Sequence, residues 1–330
     1  MKVSVIIPVY NGGKFIEKSY YSIINQTLDD FEIIYVDNNS TDDSVEKILR
    51  LINQNPKVRL LYESKQGAAS ARNIGIKNAL GTYIYVFDVD DEIYPNALSK
   101  MVSVLEKHQS IEAVFGKLVK SDEGIDNTLK PTDETDNIIF KEKPFWGLTW
   151  FYDLNTVVGP PGFLYRRNVF DKIGFYNEEL ITVEDTALDI RLGMLCNIAF
   201  LDTYVYLYFK HQQSSIEVSK REGTQIFHLW SRLIKSELQL YFEQEVPLEY
   251  KQHLFGQLFS TMGKIVGRTK GFKKRFNVYY QIPSDIQPIH LPNMIRVYLI
   301  ILVFFPFQIL LKFYVYYFSK WYVKNNIQKY

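Results

Sequence analysis

The sequence predicts an α/β fold: a parallel β-sheet with helices on both faces. The first observation behind this is a set of short apolar runs, rich in β-branched and aromatic residues, at Val3–Val9, Phe31–Val36, Val58–Tyr62, Tyr83–Phe87 and Ala113–Val119. The second is the set of amphipathic stretches of helical length between them, Lys14–Gln26, Thr41–Asn53, Ala68–Leu80 and Pro95–His108. Strands that are apolar on both faces and alternate with helices describe a sheet covered on both sides. The third is the punctuation. Ser40-Thr41-Asp42-Asp43 and Pro95 are the residue types that open helices.

Beyond the fifth run the pattern changes. From about Lys120 to Pro144 the chain is polar and acidic without clear periodicity, and a Gly159-Pro160-Pro161-Gly162 knot follows. Apolar periodicity returns over Glu184–Cys196, and from Lys220 to about Arg268 the chain reads as helices rich in Leu, Phe and Gln. A boundary near Ser215 divides an α/β domain, 1–215, from a helical segment, 216–285, and a tail, 286–330.

Composition narrows the classes. A single cysteine, Cys196, excludes a disulfide framework and a multi-cysteine zinc cluster, and it favours a reducing compartment. The opening MKVSVIIPVYNGG does not have the pattern of a cleavable signal. The net charge of +1 conceals an asymmetry: from Lys264 onward eleven Lys or Arg face one acid, so that segment is +10 and the remainder −9. Such a split implies contact with an anionic surface, either lipid or nucleic acid.

Between Val297 and Phe318 only Gln308 and Lys312 interrupt an apolar stretch that has Pro306 at its middle. About twenty such residues would span a bilayer. The proline, the two polar residues and the flanking Arg296, Lys320 and Lys324 fit an interfacial or kinked helix equally well, and a buried core helix is a third option. Six basic residues in Lys264–Arg275 lie next to this stretch, and the adjacency favours membrane association. Basic residues that flank so apolar a stretch suit lipid better than nucleic acid, which is not expected as a partner.

Ligand crevices in open parallel sheets lie beyond the carboxyl ends of the strands. There the sequence places Tyr10-Asn11, Asp37-Asn38-Asn39-Ser40 and Asp88-Val89-Asp90-Asp91. Carboxylates this close repel unless a cation sits among them, and a hard dication with a phosphorylated ligand is the natural partner. The sequence has no G-x-G-x-x-G after the first strand, no G-x-x-x-x-G-K-[ST], no H-E-x-x-H and no G-x-S-x-G. Dinucleotide dehydrogenases, P-loop enzymes, zincins and α/β-hydrolases are thereby disfavoured.

The runs VSVIIPVYNGGKFIEKSYYSIINQT, FEIIYVDNNSTDDS, GAASARNIGIKNALGTYIYVFDVDD and GFYNEELITVEDTALDIRL resemble family 2 of the inverting glycosyltransferases over roughly residues 2–215. The resemblance implies a GT-A fold, a Rossmann-like domain that binds nucleotide-diphospho-sugars, here with a C-terminal helical, membrane-associated extension. It assigns Pro8 and Tyr10 to the nucleotide base, Asp37 and Asn38 to base and ribose, and Arg72 to the diphosphate. Asp88 is assigned to ribose or sugar and Asp90 to a divalent metal, Mn²⁺ or Mg²⁺, while Asp91 is left a structural part. Asp185 is the expected general base and Glu184 a contact to the acceptor or to its neighbour. His211 is a further candidate metal ligand, and Trp146 and Trp150 are candidates for stacking on the acceptor. Where the family often has V-D-D, this chain has Val36-Asp37-Asn38. An amide both donates and accepts, whereas a carboxylate only accepts.

The expected activity is metal-dependent, inverting transfer of a sugar from a nucleotide-sugar donor, UDP-linked, to a hydroxyl of a glycan or lipid-linked oligosaccharide of the cell surface. The expected location is the cytoplasmic face of the membrane, peripherally bound. Two alternatives are transfer onto polyprenyl phosphate and a catalytically silent glycan- or nucleotide-binding subunit.

Overall fold

The computed structural model describes the chain except residues 181, 213, 215–232, 234–235, 237, 239, 243–244, 288 and 330. The boundary predicted near Ser215 and part of the helical stretch predicted from Lys220 lie outside the described residues. The chain forms two compact units, Met1–Val218 and Ser219–Tyr330.

In the first unit, β1 (Val3–Val9), β2 (Phe31–Asp37), β3 (Val58–Tyr62) and β4 (Tyr83–Val86) alternate with α1 (Ile16–Ile24), α2 (Ser44–Gln54) and α3 (Ala68–Lys77). These four strands run parallel in the order β3-β2-β1-β4. β2 is buried along its whole length and β4 likewise, which is why their sequences are apolar without alternation. At the helix start signalled in the sequence, Asp42 Oδ1 accepts from the Ser44 amide at 3.1 Å and Oδ2 from the Gly13 amide at 2.9 Å. One carboxylate thus takes the first amide of α2 and fixes the loop that follows β1.

The sheet does not stay parallel. After β5 (Glu92–Ile93), α4 (Ala97–Lys107), β6 (Ala113–Ser121), β7 (Ile138–Lys141) and α5 (Phe145–Tyr152), the strand β8 (Phe163–Arg166) enters antiparallel between β4 and β6. Then α6 (Val169–Ile173) and α7 (Glu184–Leu195) lead into the long β9 (Ile198–Phe209), parallel to β6 and antiparallel to β5 and β7. The wholly parallel sheet expected from the first 120 residues is therefore mixed. The reason is that β8 fills the position beside β4 which a further parallel strand would otherwise take.

Two close approaches fix the far side of the fold. A Cβ on Gly193 of α7 would lie 2.3 Å from the backbone nitrogen of Gly147 in α5, so these helices meet backbone to backbone. The Gly/Pro knot is clamped by two buried tyrosines: Tyr85 donates to the Pro161 carbonyl at 2.8 Å, and the Tyr206 hydroxyl donates to the Val158 carbonyl.

The second unit is helical over Leu248–Arg268, Phe272–Asp285 and Asn293–Phe304, and again from Gln308 to Asn326 through a wider π turn at Tyr314–Phe318. No helix among the described residues is long and apolar enough to cross a membrane.

Candidate active site

A hollow of about 490 Å³ opens at the carboxyl ends of β1, β2 and β4, where the strand-end residues predicted a ligand crevice. Pro8, Tyr10 and Asn38 line it from β1 and β2, Arg72 from α3, Asp88 and Asp90 from the turn after β4, and Glu184 and Asp185 from the start of α7. Chain segments more than a hundred residues apart thus converge on one space.

Arg72 is buried, and both ends of its fork are engaged. Nη2 donates to Asp88 Oδ1 at 2.9 Å and Nη1 to Glu184 Oε1 at 3.0 Å. Tyr176 faces the guanidinium at 5.3 Å. The residue expected to meet a diphosphate directly therefore ties the end of β4 to the first turn of α7. Glu184, expected near the acceptor, is the far anchor of this clamp.

Asp185 is one residue further on, with Oδ1 accepting from the Thr186 amide at 2.6 Å. Burial first, and the adjacent Glu184 carboxylate next, push its carboxyl up to about 6, while Arg72 acts in the opposite direction. Behind it, one turn along the helix, Asp189 is buried with Oδ2 unpartnered, and burial together with Asp185 holds its carboxyl well above the usual range.

The turn after β4 holds the acids. Asp90 Oδ2 lies 2.7 Å from His211 Nε2, and the imidazole packs against the rings of Phe15 and Phe209. Burial and the neighbouring Asp88 raise the Asp90 carboxyl. Asp91 accepts from the Phe209 amide at 2.9 Å through Oδ1, and its Oδ2 is buried without a partner. No three His, Cys, Asp or Glu gather as a closed metal cage among the described residues. Asp90 and His211 fit instead an open site, in which a hard dication takes one or two protein ligands and fills its shell with phosphate oxygens and water.

The Asn38 amide is used inside the fold. Nδ2 donates to the carbonyls of Glu63 and Lys65, both at 2.8 Å, and Oδ1 accepts from the Gly67 amide at 2.7 Å. It thereby holds the loop that feeds α3, and Gly67 sits there at φ 141°, a conformation open to glycine. Asp37 is not among the lining residues of the hollow, and both of its carboxylate oxygens face the Ser40 amide, at 3.3 and 3.4 Å. Asn38 lines the hollow all the same.

The tryptophans require correction. Trp150 is fully buried in a cluster with Phe115, Trp146 and Phe163, and the Trp146 indole N–H donates to the Ile198 carbonyl. Neither lines a hollow next to the acids. Both are there because α5 packs its aromatic face against β6, β8 and β9.

Sequence reasoning missed Gln66, Thr182, Thr186 and Tyr208, which also line the hollow. Thr182 has φ 74°, rare for a β-branched residue, directly before the acids of α7. A second hollow of about 280 Å³ adjoins the first, sharing Asp88, Asp185, Thr186 and Tyr208 with it and walled by Lys120, Asn155 and the Gly/Pro knot.

Residues 4–174, more than half of the chain, match the family model described as glycosyl transferase family 2. The chain belongs to that family. It is 28% identical over 218 residues to the uncharacterized glycosyltransferase EpsJ of Bacillus subtilis, which covers 66% of this chain and 63% of EpsJ. It is 29% identical over 220 residues to the glycosyltransferase GlyG of Streptococcus pneumoniae, covering 64% of this chain and 72% of that one. The chain thus spans somewhat under two thirds of the first of these relatives. Among solved structures it resembles S. aureus TarS 1–349 in complex with UDP-GlcNAc, with a TM-score of 0.66, 18% identity, and coverage of 95% of this chain and 91% of that one. It also resembles the mannosyltransferase PcManGT of Pyrobaculum calidifontis in complex with GDP-Man and Mn²⁺, with a TM-score of 0.53, 14% identity, and coverage of 92% and 86%. The first unit of this family 2 chain has the GT-A fold, and a helical C-terminal part follows it.

Proposed function

We propose that this glycosyltransferase moves a sugar from a nucleoside diphosphate to a hydroxyl of a glycan or lipid-linked oligosaccharide, with inversion at the anomeric carbon. The observation that carries this reading is Asp185, a carboxyl pushed up to about 6, placed where the two adjoining hollows share a wall. A base poised near neutrality and between donor and acceptor spaces suits proton removal from an alcohol.

The larger hollow takes the donor and the smaller one the acceptor hydroxyl. The Asp185 carboxylate accepts the hydroxyl proton as the oxygen lone pair attacks the anomeric carbon from the face opposite the leaving group. The bond from that carbon to the diphosphate oxygen breaks, and its electron pair leaves with the nucleoside diphosphate. One displacement with one base and no enzyme-bound sugar gives the inverted product. The Arg72 clamp holds Asp88 and the first turn of α7 at a fixed separation, so donor and base are positioned together.

Asp90 and His211 are the residues that would hold Mn²⁺ or Mg²⁺. Such an ion supplies charge neutralisation at the departing diphosphate. Two comparisons support the donor and metal readings: TarS holds UDP and UDP-GlcNAc on the same fold, and PcManGT holds GDP-Man with Mn²⁺. The same pair leaves the nucleobase open to test, and we favour uridine.

The test is a panel of nucleotide sugars, scored by thermal stabilisation and by donor hydrolysis, with Mn²⁺, with Mg²⁺ and with chelator. The reading requires one UDP-sugar to stabilise the protein and to turn over only with a divalent ion. Full turnover in chelator would overturn the metal part, and no stabilisation by any nucleotide sugar would overturn the whole.

A further inference from the structure

The helical unit leaves an apolar face uncovered. The helix Asn293–Phe304 is apolar around most of its girth, yet only Ile295, Leu299, Leu302 and Val303 are buried. Met294, Val297, Ile300 and Phe304 are exposed on the other side. A helix that is hydrophobic all round belongs in a core or against lipid. The chain then breaks at Phe305-Pro306-Phe307, with Phe307 61% exposed. Along the returning helix Ile309, Phe313, Tyr317 and Trp321 recur every four residues, all exposed. The exposed Phe272, from the helix Phe272–Asp285, packs its ring 5.3 Å from that of Phe304, so the patch continues onto a third helix. Isolated exposed apolar residues are ordinary; a continuous set of this kind marks an interaction surface.

Charge identifies the occupant. No charged residue occurs between Arg296 and Lys312, which leaves the bend purely apolar, and basic residues flank it on both sides. Lys273 and Lys274 are exposed next to Phe272, while Lys312, Lys320 and Lys324 are exposed along the returning helix. None of these five makes an ion pair among the described residues. A second copy of this surface would set one +10 segment against another. A nucleic acid duplex, its bases already stacked, would leave the aliphatic and aromatic residues of the bend in water. An anionic bilayer accepts both: rings at the boundary between headgroups and acyl chains, lysines among the phosphates.

We propose that the face formed by Phe272, Phe304, Phe305, Phe307 and the outer stripe of the returning helix docks into the interface of an anionic bilayer without crossing it. The rings enter roughly 5–10 Å, to the depth of the headgroup boundary. This surface is independent of the sugar-transfer reading, and its test does not use activity.

The experiment is flotation of the full chain with vesicles of phosphatidylcholine mixed with phosphatidylglycerol, and with vesicles of phosphatidylcholine alone. Compared with it are Phe305→Ser/Phe307→Ser and Lys273→Glu/Lys274→Glu, all surface changes, each checked for fold by circular dichroism. Wild type should float with the anionic vesicles and far less with neutral ones. The phenylalanine pair should lose most of that binding, and the lysine pair should reduce it by roughly tenfold or more. Wild-type binding that is absent, or unchanged in both variants, overturns the proposal. A stable oligomer that protects these side chains from hydrogen exchange and does not float also overturns it, and assigns the face to self-association.

Discussion

Arg72 Nη2 stands 2.9 Å from Asp88 Oδ1, joining the third helix of the catalytic unit to the turn that presents its acids. The same guanidinium reaches Glu184 at 3.0 Å, so a single side chain spans both walls of the hollow. Removing one member of a buried ionic set leaves its partners charged and unpaired, at a cost of about 3–5 kcal/mol. Arg72→Met should therefore lower the melting temperature and weaken donor binding together, read by thermal unfolding and calorimetric titration. Unchanged stability with weakened binding would instead mark a direct ligand contact with no clamp.

Asn38 donates to two carbonyls and accepts from one amide. A carboxylate in its place would face the Glu63 and Lys65 carbonyls with no proton to offer. Asn38→Asp should destabilise the catalytic unit by about 1–3 kcal/mol, the cost of unsatisfied buried groups. The check is thermal unfolding at neutral pH, with partial recovery at acid pH, where the carboxyl carries a proton.

Asp189 is faced by Asp185, Arg72, Tyr165 and Tyr176, and its carboxyl is held well above the usual range by burial. A raised carboxyl keeps a proton that the unfolded chain releases above about pH 3.9, so its contribution is present in acid and is lost as pH rises. Asp189→Asn removes that loss. Its melting temperature should fall less than that of wild type between about pH 5 and about pH 8.

Trp150→Ala should cost about 3–5 kcal/mol of stability, as for any large buried aromatic residue. Donor affinity, measured below the unfolding transition, should stay near wild type. The tryptophan packs under β8, away from the hollow.

Much of this was legible in the sequence. β1 and β3 run from Val3 to Val9 and from Val58 to Tyr62 as the apolar runs do, because a short apolar run bounded by polar turn residues is read directly from the sequence, whether the strand is almost wholly buried like β1 or only partly buried like β3. The strand-end positions pointed to Tyr10, Asp88 and Asp90, the family resemblance added Arg72 and Asp185, and all five line the hollow. The antiparallel β8 was not legible, since its partners β4 and β6 are chosen by pairing across long stretches of chain. Nor could the sequence say that Asn38 and Arg72 turn inward. A polar residue at a strand end looks the same in one dimension whether it meets a ligand or another loop. Thr182 gave no signal, because a β-branched residue carries no preference for the left-handed backbone it adopts there.

The most direct test of the base assignment is Asp185→Asn, measured for both turnover and donor affinity across pH. Asp185 is faced by Glu184, Arg72, Asp88 and Asp189, and its carboxyl lies at about 6, so wild-type turnover should rise as pH passes through about 6. The variant should lose roughly 10²–10⁴-fold in kcat, lose that rise, and bind donor as wild type does. Turnover near wild type, or an intact pH profile in the variant, would contradict Asp185 as the group that takes the acceptor's proton.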